Sequence, residues 1–193
     1  MIRFSKARLC AAVFALSCVT GLQARAAEMA GVQLPDSQTL GTHQLQLNGM
    51  GLRTYSLFHV HIYVAGLYLA HPSRNAAAIL NSDSPKILQL HFVHNVAAPQ
   101  VRKAWATGLA ANCLAPCSLN QAELSRFLAS LNAVSAGETV TFIFQHDKAD
   151  AYENSHYLGQ IADPEFAKLI LAMFIGPHVQ APGLKRALLG QTG

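Results

Sequence analysis

The chain has 193 residues, 51% of them hydrophobic and 12% charged, with a mean hydropathy of +0.24. That is long enough to bury the core of one domain and short for two. The formal net charge of +4 is not spread evenly: residues 1–26 hold Arg3, Lys6, Arg8 and Arg25 and no acid, and ten basic and ten acidic residues remain after them. A neutral remainder with only two basic doublets, Arg102-Lys103 and Lys185-Arg186, lacks the electrostatic footprint of nucleic-acid binding, and that class is set aside.

The start of the chain reads as an export signal. A basic opening is followed by the apolar run Leu9 to Val19 and then Ala24-Arg25-Ala26, the small-x-small form of a cleavage site. The run is too short to span a bilayer, and no later stretch approaches the length needed. The reading is residues 1–26 as signal peptide, cleavage near Ala26, and a periplasmic domain over 27–193. Cys18 after Ala15-Leu16-Ser17 keeps open a lipoprotein alternative, although the tripeptide lacks a leading leucine.

Beyond Pro35-Asp36, which reads as a turn, Thr42 to Leu47 alternates. This predicts a strand or hairpin with Leu45 and Leu47 on one face and Gln44 and Gln46 on the other. The stretch 48–70 opens on Gly49 and Gly51 and runs into β-branched and aromatic residues. Read as unbroken extended chain from Arg53, it puts Phe58, Val60, Ile62 and Val64 on an aliphatic face. Arg53, Tyr55, Leu57, His59, His61 and Tyr63 fall on the opposite one, and a bulge before Phe58 would flip Arg53. Asn75 to Leu80 is a short helix, and Lys86 to His94 is a central strand.

After Pro99 the period changes. Val101, Trp105, Leu109 and Cys113 form a helical stripe, with proline in the first turn. A second helix is expected from Ser118, with a capping box to Gln121 and with Ala122, Phe127, Leu128 and Leu131 buried. Cys113 and Cys117, the cysteines left after the signal, are expected to form a disulfide pinning the two helices in an oxidising compartment. A redox or metal role for the pair is the alternative, with no third ligand nearby in sequence. Thr139 to Phe144 is a strand, Asp147 to Asp150 a turn, and Tyr152 to Gly159 its partner. Asp163-Pro164-Glu165 opens a helix from Glu165 to Phe174 that stops at Gly176-Pro177. Leu184 to Leu189 closes an α+β domain.

Two stretches carry a family resemblance. Gly49-x-Gly51-x-Arg53, followed after a spacer by Ile62-Tyr63-Val64-Ala65-Gly66-Leu67-Tyr68-Leu69, resembles the chalcone isomerase superfamily. So does Phe174-Ile175-Gly176-Pro177-His178 followed by Leu184-Lys185-Arg186-Ala187-Leu188-Leu189. The resemblance implies an open-faced β-sandwich: a curved antiparallel sheet with helices packed on one face. In the fatty-acid-binding branch an arginine and a tyrosine hold the ligand's acid group, which points to Arg53 and Tyr63 here, with His59, His61 and Met173 as further pocket candidates. A guanidinium presents a rigid fork of donors suited to a carboxylate, and an apolar cleft would take the tail. The structural alternative is that Arg53 pairs with a carboxylate of the protein and Tyr63 packs in the sheet.

The enzyme branch has polar groups where this chain aligns Tyr63, Val101, Gly108 and Met173. Without those hydroxyls and that amide, the oxyanion of an enone cyclisation loses its donors. The function implied is non-catalytic binding of a small amphipathic acid, with no catalytic residue assigned. An intramolecular lyase or isomerase, and an envelope protein-interaction module with a closed core, stay as rivals. No cofactor is called for. His91 and His94 face opposite sides of an unbroken strand, so no metal site is assigned. Gly-x-Ser-x-Gly and a phosphate-binding glycine loop are absent.

Overall fold

The computed structural model describes residues 26–55, 58–114, 117 and 119–191. Residues 1–25 of the stretch read as an export signal, with Leu57 and Ser118, lie outside the described residues. Nine strands and five helices are described: β1 (Ala26–Met29), β2 (Val32–Pro35), β3 (Ser37–Leu40), β4 (His43–Tyr55), β5 (Val60–Leu69), α1 (Ala76–Leu80), β6 (Lys86–Phe92), α2 (Ala98–Asn112), α3 (Gln121–Ser130), β7 (Thr139–Gln145), β8 (Lys148–Glu153), β9 (His156–Ile161), α4 (Pro164–Ile175) and α5 (Pro182–Leu188).

Strands β3 to β9 form a seven-stranded sheet in sequential order, every pair antiparallel, and β1 and β2 form a separate hairpin. The sheet is curled, with the helices on one face, as expected. β6 is its middle strand, in keeping with the dense apolar run that suggested a central place. Leu88, Leu90 and Phe92 of β6 enter the main core with Ala65, Leu67 and Leu69 of β5. The opposite parity supplies a smaller cluster of Leu45, Tyr68 and Ile87 on the other face. Leu45 is fully buried while Gln44 and Gln46 are exposed, as the alternation predicts.

Helix α4 is the centre of the helical layer. Asp163 caps it by accepting from the Phe166 N–H at 3.0 Å, Pro164 sits in its first turn, and eight of its residues are buried. Helix α5 lies directly on β4, which requires the glycines there. A Cβ at Gly49 would stand 2.1 Å from the Ala187 carbonyl oxygen, and one at Gly51 would stand 2.7 Å from Ala187 Cβ. Asn48, the extra residue where the β4–β5 register shifts, ties this corner together. Its Nδ2 donates to the carbonyls of Ser73 at 3.0 Å and Leu188 at 2.8 Å, and its Oδ1 accepts from the Ser73 N–H at 2.7 Å.

Several expectations are corrected. The chain is not extended from Arg53 to Val64: β4 ends at Tyr55, His59 sits in a turn at φ 52°, and β5 returns antiparallel. Phe58 is consequently 90% exposed at the hairpin tip, not on a buried aliphatic face. Helix α3 starts at Gln121, capped by Asn120, whose Oδ1 accepts from the N–H groups of Ala122 and Glu123. Ala122 is exposed, and no residue of α3 is fully buried. The turn expected over Asp147 to Asp150 is the pair His146-Asp147, both at positive φ, so β8 begins at Lys148. A second positive-φ pair, Asn154-Ser155, divides the expected partner strand into β8 and β9.

Candidate ligand-binding site

Arg53 and Tyr63 are directly paired across β4 and β5. The parity of Gly49 and Gly51, which face α5, carries on to Arg53. Tyr63 shares the face of Ala65 and Leu67 and packs against the main core. Both side chains therefore stand on the helical side of the sheet, and both are half-buried. The Tyr63 ring lies edge-on to Phe92 with centroids 5.4 Å apart. Burial pushes its phenol up to about 12, against a smaller downward pull from the Arg53 charge. At neutral pH the phenol is thus a donor beside a fixed cation. Arg53 Nη1 donates to the Thr54 carbonyl at 3.1 Å. Among the described residues no carboxylate lies within ion-pair distance of Arg53, so no structural acid takes up the fork.

The histidines are not part of this group. β5 has one more residue than β4 between the pairs Arg53↔Tyr63 and Thr54↔His61, so Ile62 is the extra residue. Ile62 and Tyr63 both pack toward the core, and the alternation restarts with His61 on the other side. His61 and His59 are exposed, so neither lines a pocket wall with Tyr63. Met173, on α4, lies against α2: a Cβ at Gly108 would be 2.5 Å from Met173 Cε. Val101 is half-buried against the same core. Three of the four positions that hold polar groups in the enzyme branch, Val101, Gly108 and Met173, thus lie in the packing between α2, α4 and the core, with the Gln180 amide beside Gly108.

The core between sheet and helices is packed with the protein's own rings. Trp105 meets Phe127, Phe142 and Phe174 at centroid distances of 5.3, 5.4 and 6.2 Å, and Phe127 meets Phe166 at 5.2 Å. Two surface hollows, of about 360 and 410 Å³, lie elsewhere: one among the 81–84 loop, the β7–β8 turn and α4, the other beside β3 and β4. Lys86, 6% exposed, borders the first and donates to the carbonyls of Ser82 and Ser84. Burial lowers its pKa, with Asp83 and Asp147 opposing. It is a cation committed to holding its own loop.

Sequence reasoning missed Asn112, which joins α2 to the segment after α4. Its Nδ2 donates to the carbonyls of Gly108 at 3.0 Å and His178 at 3.2 Å. An amide one turn beyond a glycine in an otherwise apolar stripe was the available signal. Cys113 caps the end of α2 and is disulfide-bonded to Cys117. Among the described residues no group of three His, Cys, Asp or Glu converges for a metal. No described helix is long and apolar enough to cross a membrane.

Comparison with known proteins gives the same architecture. The chalcone isomerase-like family model matches residues 26–190. The chain belongs to the chalcone isomerase-like family. A similar solved structure is the Arabidopsis thaliana fatty-acid binding protein AtFAP1, with a TM-score of 0.69 and 18% identity, covering 86% of this chain and 96% of that one. No curated protein matches by sequence. At that identity the likeness to AtFAP1 shows the fold alone.

Proposed function

We propose that this chalcone isomerase-like protein is a non-catalytic carrier of a small amphipathic acid, of fatty-acid type. The acid group is held by Arg53 and Tyr63 and the tail lies between sheet and helices. The observation that carries this reading is a half-buried arginine on the helical side of the sheet, with no protein carboxylate within ion-pair distance among the described residues, paired directly across from a neutral phenol. A charge removed from water needs a counter-charge, and a ligand carboxylate supplies one that matches the fork. A fatty-acid binding protein with the same fold supports the choice of ligand class. Val101, Gly108 and Met173 bring no side-chain donor of their own, which argues against conjugate addition, a reaction that needs donors around a developing oxyanion. Export to the periplasm, with cleavage near Ala26, belongs to the same reading and is supported by the basic start, the apolar run and Ala24-Arg25-Ala26.

The test is native mass spectrometry and lipid extraction on protein purified from its own envelope, followed by titration with palmitate and its methyl ester. Arg53→Ala is expected to weaken palmitate binding roughly tenfold to a hundredfold, the range for losing a charge-assisted hydrogen bond. The ester, already lacking the charge, should be affected far less. Equal binding of acid and ester by the unaltered protein, or turnover of a flavonoid-type enone, would overturn the proposal.

A further inference from the structure

We infer that α3 is a hinged cover over the ring cluster, and that lifting it is how an apolar tail enters the closed core. The inference rests on the carrier reading for what enters; that α3 opens stands on the fold alone. The helices are held very unequally. α4 buries eight residues, α2 buries three and the seven-residue α5 buries two, whereas the ten residues of α3 include none that is fully buried. A helix of that length has little stability of its own in water. What holds α3 is a stripe of half-buried side chains, Leu124, Phe127 and Leu128. The Phe127 ring is wedged edge-on between Trp105 and Phe166.

Both flanks of the helix are anchored. On one side the Cys113–Cys117 disulfide ties the approach to α3 to the end of α2. On the other, Val134 exchanges two backbone hydrogen bonds with Val96, at 2.8 and 2.9 Å. An element fixed at both ends and thinly held between them opens without the rest unfolding. Beneath it, Trp105 bridges to Phe142 on β7 and Phe174 on α4, so withdrawing Phe127 uncovers the inner rings. The filled core and the need for a tail to reach it are thereby reconciled: the rings occupy the space at rest, and the cover with the least buried surface yields first.

The experiment is hydrogen exchange by mass spectrometry on the mature chain and on Phe127→Ala, paired with stopped-flow uptake of cis-parinaric acid. Uptake is read by energy transfer from Trp105, the single tryptophan. The α3 amides are expected to exchange well before those of α4. Phe127→Ala should raise α3 exchange roughly tenfold, the effect of removing about half a buried aromatic side chain, and raise the association rate by a similar factor. Exchange in α3 as slow as in α4 would overturn the cover. Faster exchange with an unchanged association rate would overturn the entry route while leaving the Arg53 site standing. If cis-parinaric acid does not bind the unaltered protein at all, the carrier reading and the entry route both fall, and the exchange data still decide whether α3 opens.

Discussion

Replacing Gly49 with alanine tests how α5 is seated on the strand that carries Arg53. The added Cβ would lie 2.1 Å from the Ala187 carbonyl oxygen, 2.7 Å from that of Leu188 and 2.8 Å from the Leu188 carbonyl carbon. Ordinary carbon–oxygen contact needs roughly 3.2 Å or more, so α5 must retreat by about 1 Å. All three obstructing atoms are backbone, and no rotamer change relieves them. Retreat loosens Leu184, Leu188 and Leu189, each at most 4% exposed. Overpacking of this kind costs about 1–3 kcal/mol, and a backbone obstruction puts the expected loss at or above about 3 kcal/mol. For a domain of this size that is roughly 6–12 °C in Tm.

The assay is thermal and urea unfolding of Gly49→Ala beside Gly183→Ala. Gly183 lies in the same helix, with nothing within 4 Å of its added Cβ and no positive φ. Alanine there should be neutral or stabilising by up to about 1 kcal/mol, because it restricts the unfolded chain and favours helix. A Gly49→Ala protein within about 0.5 kcal/mol of the unaltered one would refute the seating described, since that is the ordinary scatter of surface substitutions.

Two pH effects follow from buried titratable groups. The Tyr63 phenol is raised to about 12 in the folded chain from the usual 10, so it leaves stability unchanged below pH 10 and removes up to roughly 2–3 kcal/mol as pH rises from 10 to 12. Tyr63→Phe should flatten that alkaline limb in urea midpoints, and an unaltered limb would contradict the burial. On the acid side, burial lowers the pKa of His91, whose Nδ1 lies 3.0 Å from Thr139 Oγ1 and whose Nε2 is buried with no hydrogen-bond partner among the described residues. The unfolded chain takes up that proton first, so stability is full above about pH 6.5 and falls as pH drops below it. His91→Gln should lose this slope between pH 6.5 and 5, and an identical acid slope in both proteins would refute it.

What was legible in the sequence was what local chemistry decides. Asp163-Pro164 started α4 because a carboxylate cap and a preset φ act within one turn. The run Ile87-Leu88-Gln89-Leu90 marks a strand covered on both faces: Leu88 and Leu90 enter the main core and Ile87 the smaller cluster. Cys113 and Cys117 are close enough in sequence that their disulfide required only a short loop. The pairing of Arg53 with Tyr63 was anticipated for a different reason from the one the fold supplies. Alternation along one extended chain puts them on a common face; in the fold a hairpin brings the two residues opposite each other, and an extra residue at Ile62 turns His61 away.

Only the tertiary structure settled the rest. A single-residue register shift leaves no trace in composition but reverses every side chain beyond it. The need for glycine at positions 49 and 51 comes from a helix some 140 residues further along the chain. Whether an apolar face becomes an open cleft or a packed core depends on rings contributed by α2, α3, β7 and α4. Periodicity says which face of each element is apolar; the volume left between those faces is fixed only once all of them are packed together.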